Sequence, residues 1–263
     1  MTQPASAAAP LLQIETHGQV LTVGLNRPAK RNALNDSIIL ELETCFNTLP
    51  DEIGAVVVHG IGDHFSAGLD LSELTERDAT EGLLHSRMWH RVFDRIQFSR
   101  VPVIAALKGG VIGGGLELAC SAHIRVAEPS AYFALPEGSR GIFVGGGGSM
   151  RLPRLVGVHR MADMMLTGRI YQATEGVALG FAQYLTAEGG AFDKAMELAN
   201  RVAQNAPMTN FAVLQALPMI ADASPQTGLL LESLMASIAQ SDKEAKSRIR
   251  DFLDRKAAKV QPT

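Results

Sequence analysis

The sequence is poor in the features that announce many protein classes. It has only two cysteines in 263 residues, Cys45 and Cys120, far apart and at no metal-ligand spacing. That excludes a disulfide framework and a cysteine metal centre, and it points to buried thiols in a reducing compartment. Neither sign of charge dominates. The 24 Lys and Arg stand against 27 Asp and Glu, a net charge of -3, which implies no nucleic-acid or anionic-membrane partner. No apolar run approaches the roughly 18 residues that a membrane span needs. The first ten residues, MTQPASAAAP, carry no positive charge and no apolar core, so they do not read as a signal peptide and are taken as a disordered lead-in. No repeat of fixed period is seen. The expectation is a soluble, cytoplasmic protein.

What is present reads as an ordinary globular chain, long enough to bury one sizeable core. VLTVGLN (20 to 26) alternates like a strand and stops at Arg27-Pro28. A helix is expected from about Ser37 to Leu49, with Asn35 and Asp36 as capping candidates, and AVVVHGIG (55 to 62) reads as a buried strand. Leu84, Met88, Val92 and Ile96 recur every four residues, and Trp89 and Phe93 widen the stripe, which predicts an amphipathic helix over 82–98. Another β-rich run, VPVIAALKG, follows. HIRVAEP (123 to 129) and AYFALPEG (131 to 138) read as short strands, and 158–168, 191–204 and 229–256 as helices. Strands and helices thus alternate to about residue 190 and helices take over afterwards. The pattern predicts an α/β fold, with a core over 11–205 and a helical region over 206–263. Met161, Met164 and Met165 sit at helical spacing and read as core filling.

Residues 109–120, GGVIGGGLELAC, are the most informative stretch: five glycines in seven residues, then one glutamate among leucines. A strand that runs into glycines opening a helix is suited to negative charge, because the first helical N–H groups lack internal partners and lie at the positive end of the dipole. A phosphate, a dinucleotide or an oxyanion formed during a reaction would each fit. A P-loop needs lysine after its last glycine, and Leu116 follows Gly115 here. The G-x-G-x-x-G spacing is met neither here nor in GIFVGGGGSMRL (141 to 152), where Met150 stands in the third glycine's place, and no G-x-S-x-G surrounds Ser149. An oxyanion site remains, with Glu117 one helical turn beyond the donors. Glu137 stands twenty residues on, in a second apolar setting, FALPEG. Apolar surroundings disfavour a carboxylate while the helix N-terminus near Glu117 favours it, so opposed tuning of the two is expected, as suits a general acid/base pair. The plainer alternative is that each glutamate caps or pairs locally.

Four separated segments then carry a resemblance. NRPAKRNAL (26 to 34), HFSAGLDLSEL (64 to 74), GGGLELA (113 to 119) and PEGSRGIFVGGGGSMRL (136 to 152) stand in the order of the motifs of the crotonase (enoyl-CoA hydratase/isomerase) family, which the chain resembles from residue 14 to about 257. The resemblance implies a spiral of β-β-α turns with a helical C-terminal part, an acyl-CoA thioester as substrate, and reversible addition of water to a 2-enoyl-CoA. It implies that the backbone N–H groups of Leu69 and Gly114 hold the thioester oxygen, and that Glu117 and Glu137 orient and activate the water. It places Arg27, Lys30, Ala33, Ala67, Asp70 and Leu71 in the loops that hold coenzyme A. It implies no metal and no cofactor beyond the coenzyme A of the substrate, and a homotrimer or homohexamer.

The departures concern the acyl group. Ser139 and Arg140 stand where hydratases usually carry apolar residues, and Val144 replaces the family's proline. Trp89-His90 resembles a pair found in aryl-CoA members, whose nucleophilic aspartate corresponds to Gly145 here, so that chemistry does not carry over. Trp89, His90 and Arg140 are therefore candidate acyl-pocket residues, with a structural role for His90 as the simpler reading. The rival functions are enoyl isomerisation, C–C cleavage, aryl-CoA chemistry, and binding of a CoA thioester with little turnover.

Overall fold

The computed structural model describes residues 9–73 and 76–254. In chain order the first unit contains β1 (Leu12–His17), β2 (Val20–Leu25), α1 (Asp36–Asn47), β3 (Ala55–Gly60), α2 (Ala79–Gln97), β4 (Val103–Leu107), β5 (Gly110–Ile112), α3 (Gly114–Ser121), β6 (Ile124–Ala127), β7 (Tyr132–Ala134), α4 (Gly148–Val156), α5 (Val158–Thr167), β8 (Tyr171–Gln172), α6 (Ala173–Leu179), β9 (Tyr184–Leu185) and α7 (Ala191–Ala203). One sheet has the order β1-β2-β3-β4-β6-β9, parallel from β2 onward; a second has the order β5-β7-β8. Each turn of chain gives one strand to the large sheet, crosses to the second ladder, and returns through a helix: β3 then Ser66, β4 then β5, β6 then β7. Isolated bridges Leu34–Leu69 and Ser66–Val111 extend that second ladder. This is the spiral of β-β-α turns that the resemblance implied.

The middle of the large sheet is covered on both faces, which is why β3 and β4 read as near-continuous apolar runs rather than alternating. On one face Val20, Ala55, Val57, Ile104, Ala106 and Val126 pack with Ala191, Ala195, Leu198 and Ala199 of α7. On the other, Val23, Val56, Val58, Ala105 and Leu107 join Ile38, Leu42, Val92, Phe93, Ile96 and Leu116 from α1, α2 and α3. Each fully buried Val, Leu or Ile contributes about 1.5–3 kcal/mol, so the helices are held chiefly by this seam. Both cysteines are buried and unpaired, and Met161 and Met164 are core residues.

Three expectations are corrected. Leu84 is 61% exposed: no side chain of α2 before Trp89 is buried, so the first two turns stand clear of the seam. That helix begins earlier than its apolar stripe because Asp78 and Glu81 form a capping box. The helix expected over 229–256 is two. The C-terminal unit, from residue 204, runs as α8 (Pro207–Phe211), a π turn over Ala212–Ala216, α9 (Leu217–Asp222), α10 (Pro225–Ser241) and α11 (Lys243–Leu253). Asp242 leaves the helical conformation and caps α11, accepting from the N–H groups of Glu244 and Ala245. Most of the lead-in, Leu74 of the second motif, and the end of the last expected helix fall outside the described residues.

Candidate active site

The site forms where the chain crosses between the two sheets. After β4 it turns at Gly109, runs through β5, and reaches Gly113, whose φ of 52° opens α3. A Cβ at residue 113 would stand 2.5 Å from Glu137 Oε1, so the glycine both turns the chain and admits a carboxylate.

Two backbone N–H groups converge there. Leu34 donates to the Gly68 carbonyl at 2.7 Å, and Asp70 donates to the Leu34 carbonyl at 2.8 Å. Pairing on both sides of Leu69 turns its own N–H the other way, toward α3. Gly114 is the first residue of α3, where N–H groups have no intrahelical acceptor. A Cβ at residue 114 would lie 3.4 Å from Leu69 N and 3.0 Å from Trp89 Cζ3, which places Leu69, Gly114 and the buried indole edge side by side. Among the described residues, no hydrogen bond engages the N–H of Leu69 or of Gly114. Two adjacent free donors at a helix N-terminus suit an oxygen that gains negative charge.

Both glutamates are buried beside them. Glu117, in the first turn of α3, is 4% exposed, and its Oε1 accepts N–H groups from Gly146 at 2.9 Å and Gly148 at 2.7 Å. Burial raises its pKa to about 7; those two N–H groups and Arg151 pull it down, and the charge of Glu137 pushes it up. Glu137 follows β7, and its Oε2 is buried with no hydrogen-bond partner among the described residues. Burial raises its pKa as well, against its own backbone N–H and nearby Arg140. The expected opposed tuning is thus corrected. Desolvation outweighs the Gly148 and Gly146 N–H groups and Arg151 at Glu117, and both carboxyls hold protons more tightly than usual.

The two candidate coenzyme A loops are joined by a buried anion. Asp70 Oδ2 accepts from Arg27 Nη2 and Lys30 Nζ, each at 2.9 Å, and Oδ1 accepts from Ser72 Oγ at 2.6 Å. These hydrogen bonds, with Ser72 foremost, hold the Asp70 carboxyl well below the usual range. Arg27 Nη1 also donates to the Ala33 carbonyl at 2.8 Å, and Ala67 N–H to the Arg31 carbonyl at 2.9 Å. Arg27 and Lys30 therefore face Asp70, a partner the sequence reading did not give them, while Leu71 is exposed. Asn32, fully buried, ties the same loop down: its Nδ2 donates to the Ile61 and His64 carbonyls and its Oδ1 accepts from Arg27 N–H.

His90 is half-buried beside the glycine segment 145–148, 3.3 Å from Ser86 Oγ, which donates to the Gly145 carbonyl at 2.7 Å. Burial and the cations Arg151 and Arg87 lower its pKa. Arg140 is exposed on a single 3-10 turn after Glu137, and Ser139 donates to the Pro136 carbonyl. Among the described residues no group of three or more His, Cys, Asp or Glu is placed to hold a metal ion.

The family model described as enoyl-CoA hydratase/isomerase matches residues 15–261. A short-chain-enoyl-CoA hydratase from Clostridium acetobutylicum is 32% identical, over 92% of this chain and 94% of that protein. A 2,3-dehydroadipyl-CoA hydratase from Escherichia coli K12 is 31% identical, over 93% and 96%. A crystal structure from Rhodopseudomonas palustris CGA009, provisionally described as an enoyl-CoA hydratase, is 75% identical with a TM-score of 0.92, covering 98% of this chain and all of that one.

Proposed function

The chain belongs to the enoyl-CoA hydratase/isomerase family, and on that premise we propose that it adds water reversibly to a 2-enoyl-CoA, giving a 3-hydroxyacyl-CoA. The observation that carries the reading is two buried, proton-retaining glutamates beside a pair of free backbone N–H groups. The thioester carbonyl oxygen sits on the N–H groups of Leu69 and Gly114. Water stands between Glu117 and Glu137. One glutamate, ionised, takes a proton as the water oxygen bonds to C3. The C2=C3 electron pair moves toward the carbonyl, where the two N–H groups stabilise the enolate. The other glutamate, protonated, gives its proton to C2 and is left as the carboxylate. The pair ends with its proton exchanged between the two residues, and the reverse path dehydrates the product.

The gain of oxygen at C3 and of hydrogen at C2 cancel, so there is no net oxidation and the reaction calls for proton transfer and no redox cofactor. Arg27 and Lys30, presented by Asp70, are suited to the phosphates of coenzyme A. Trp89 bounds the acyl side. A homotrimer or homohexamer in the cytoplasm is part of the proposal. The exposed Leu229, Leu230, Leu234, Phe252 and Leu253 of the C-terminal unit support an assembly. No helix among the described residues is long and apolar enough to cross a membrane.

Hydration of crotonyl-CoA and cinnamoyl-CoA by the purified protein tests this, beside Glu117→Gln and Glu137→Gln. Each substitution is expected to lower kcat by at least about a hundredfold, the scale of general acid–base catalysis. Tight binding of both esters with no hydration by the wild type would favour a CoA-thioester-binding protein instead.

A further inference from the structure

The two N–H groups that hold Glu117 belong to the glycine segment 145–148, which leads into α4, and that segment is itself held by hydrogen bonds to its carbonyls. The peptide unit whose N–H is Gly146 has its carbonyl on Gly145, and that oxygen accepts from Ser86 Oγ of α2 at 2.7 Å. The next carbonyl, on Gly146, accepts from Arg151 Nη1 at 3.0 Å. The third, on Gly147, lies in the same peptide unit as the Gly148 N–H and accepts from the backbone N–H groups of Met150 and Arg151. The three carbonyls from Gly145 to Gly147 are thus all occupied.

Arg151 has little freedom to do anything else. Its side chain is 3% exposed; Nε donates to Gln97 Oε1 at 2.6 Å and Nη2 to Asp94 Oδ1 at 2.5 Å, both on α2. Asp94 is half in water, so its charge is screened while that of Arg151 acts inside the protein. The charged and titratable groups around Glu117 are Glu137 from the β7 loop, Arg151 from α4 and Cys120 from α3; Asp94 and His90 of α2 lie beyond Arg151.

We infer that Ser86 and Arg151 are positioning residues for Glu117, acting from α2 and α4 through the Gly145–Gly148 segment that holds its carboxyl. The inference rests on the hydratase reading for its effect on rate, and on geometry alone for its effect on Glu117. A hydrogen bond accepted at one end of a peptide unit strengthens the donor at the other, and the Arg151 cation favours the ionised carboxyl directly.

The test compares wild type, Ser86→Ala, Arg151→Met and Arg151→Lys in two measurements. One is crotonyl-CoA hydration across pH; the other is NMR titration of the carbon-13-labelled Glu117 carboxyl, assigned with Glu117→Gln. Arg151→Met is expected to move the Glu117 titration up by about one pH unit and to lower kcat at least about tenfold, with KM within about twofold. Arg151→Lys, which keeps charge but not the fork, is expected to restore the titration and not kcat. Ser86→Ala, a small change that carries the test if Arg151→Met does not fold, is expected to lower kcat several-fold with KM unmoved. Folded variants with wild-type Glu117 titration and wild-type kcat would overturn the inference, as would a loss confined to KM. Absence of hydration by the wild type would count against the hydratase reading alone, since the titration reads Glu117 without turnover.

Discussion

Gly148 donates its N–H to Glu117 Oε1 at 2.7 Å, and a Cβ on residue 148 would stand 2.7 Å from Glu117 Cγ. Donor and carboxyl are so close that the smallest side chain must push one away from the other. Gly148→Ala is expected to cut kcat for crotonyl-CoA by at least about tenfold while leaving KM within a fewfold, since about 1 Å of misplacement at a reacting group is expensive. Steady-state kinetics on the folded variant check it; a wild-type kcat would count against the contact.

The pH dependence follows from the shared proton. The singly protonated glutamate pair is the form that turns over, so kcat/KM is expected to fall on both sides of an optimum. Glu117, raised to about 7 mainly by burial, places one limb near neutrality. A profile flat from about pH 5 to 9 would contradict this.

The same burial makes Glu117 a burden on the fold. Its folded pKa lies above the ordinary 4.5, so its contribution to stability is full below about 4.5 and is lost as pH rises through about 7. Glu117→Gln is therefore expected to stabilise the protein at pH 8.5, on the order of 3 kcal/mol at most, and to change little at pH 4.5. Denaturant titrations at the two pH values decide. Equal effects at both would show that ionisation of Glu117 is not the cause.

Asp70 behaves in the opposite sense. Its folded pKa is depressed, so its pairing with Arg27 and Lys30 is present at neutral pH and lost as pH falls below the usual carboxylate range. Asp70→Asn is expected to raise KM for a CoA thioester about tenfold with kcat changed less, because the two cations lose the anchor that presents them. An unchanged KM would place Arg27 and Lys30 outside the binding of coenzyme A.

Much of this was legible in the residues, and the reasons differ by element. The buried strands show as continuous apolar runs because the sheet is covered twice. The glycine cluster and Glu117 show because a carboxylate among leucines, directly after five glycines, stands out from its surroundings. The partners of Glu117 were not legible: Gly146, Gly148 and Arg151 lie some thirty residues on, and helix α4 is masked by its run of glycines and by Pro153. Asn32 and Ser86 give no periodic or charge signal, since each acts through backbone carbonyls that only the fold brings near. The break at Asp242 was readable in principle, as an Asp followed by Lys-Glu-Ala, but the apolar pattern runs on past it. Leu84 misled for the converse reason, fitting the four-residue repeat of a helix whose first turns are bare.

Helix α7 supplies no residue to the site, yet it closes the outer face of the sheet on which the site is built. Until residues 191–203 have left the ribosome, Val20, Ala55, Val57, Ile104, Ala106 and Val126 have no cover. The last named catalytic or positioning group, Arg151, is made about forty residues earlier. During synthesis the chain thus carries every group needed for chemistry while still exposing an apolar sheet face. Competence arrives with a helix that never meets the substrate, and a chain cut before residue 191 is a candidate for aggregation.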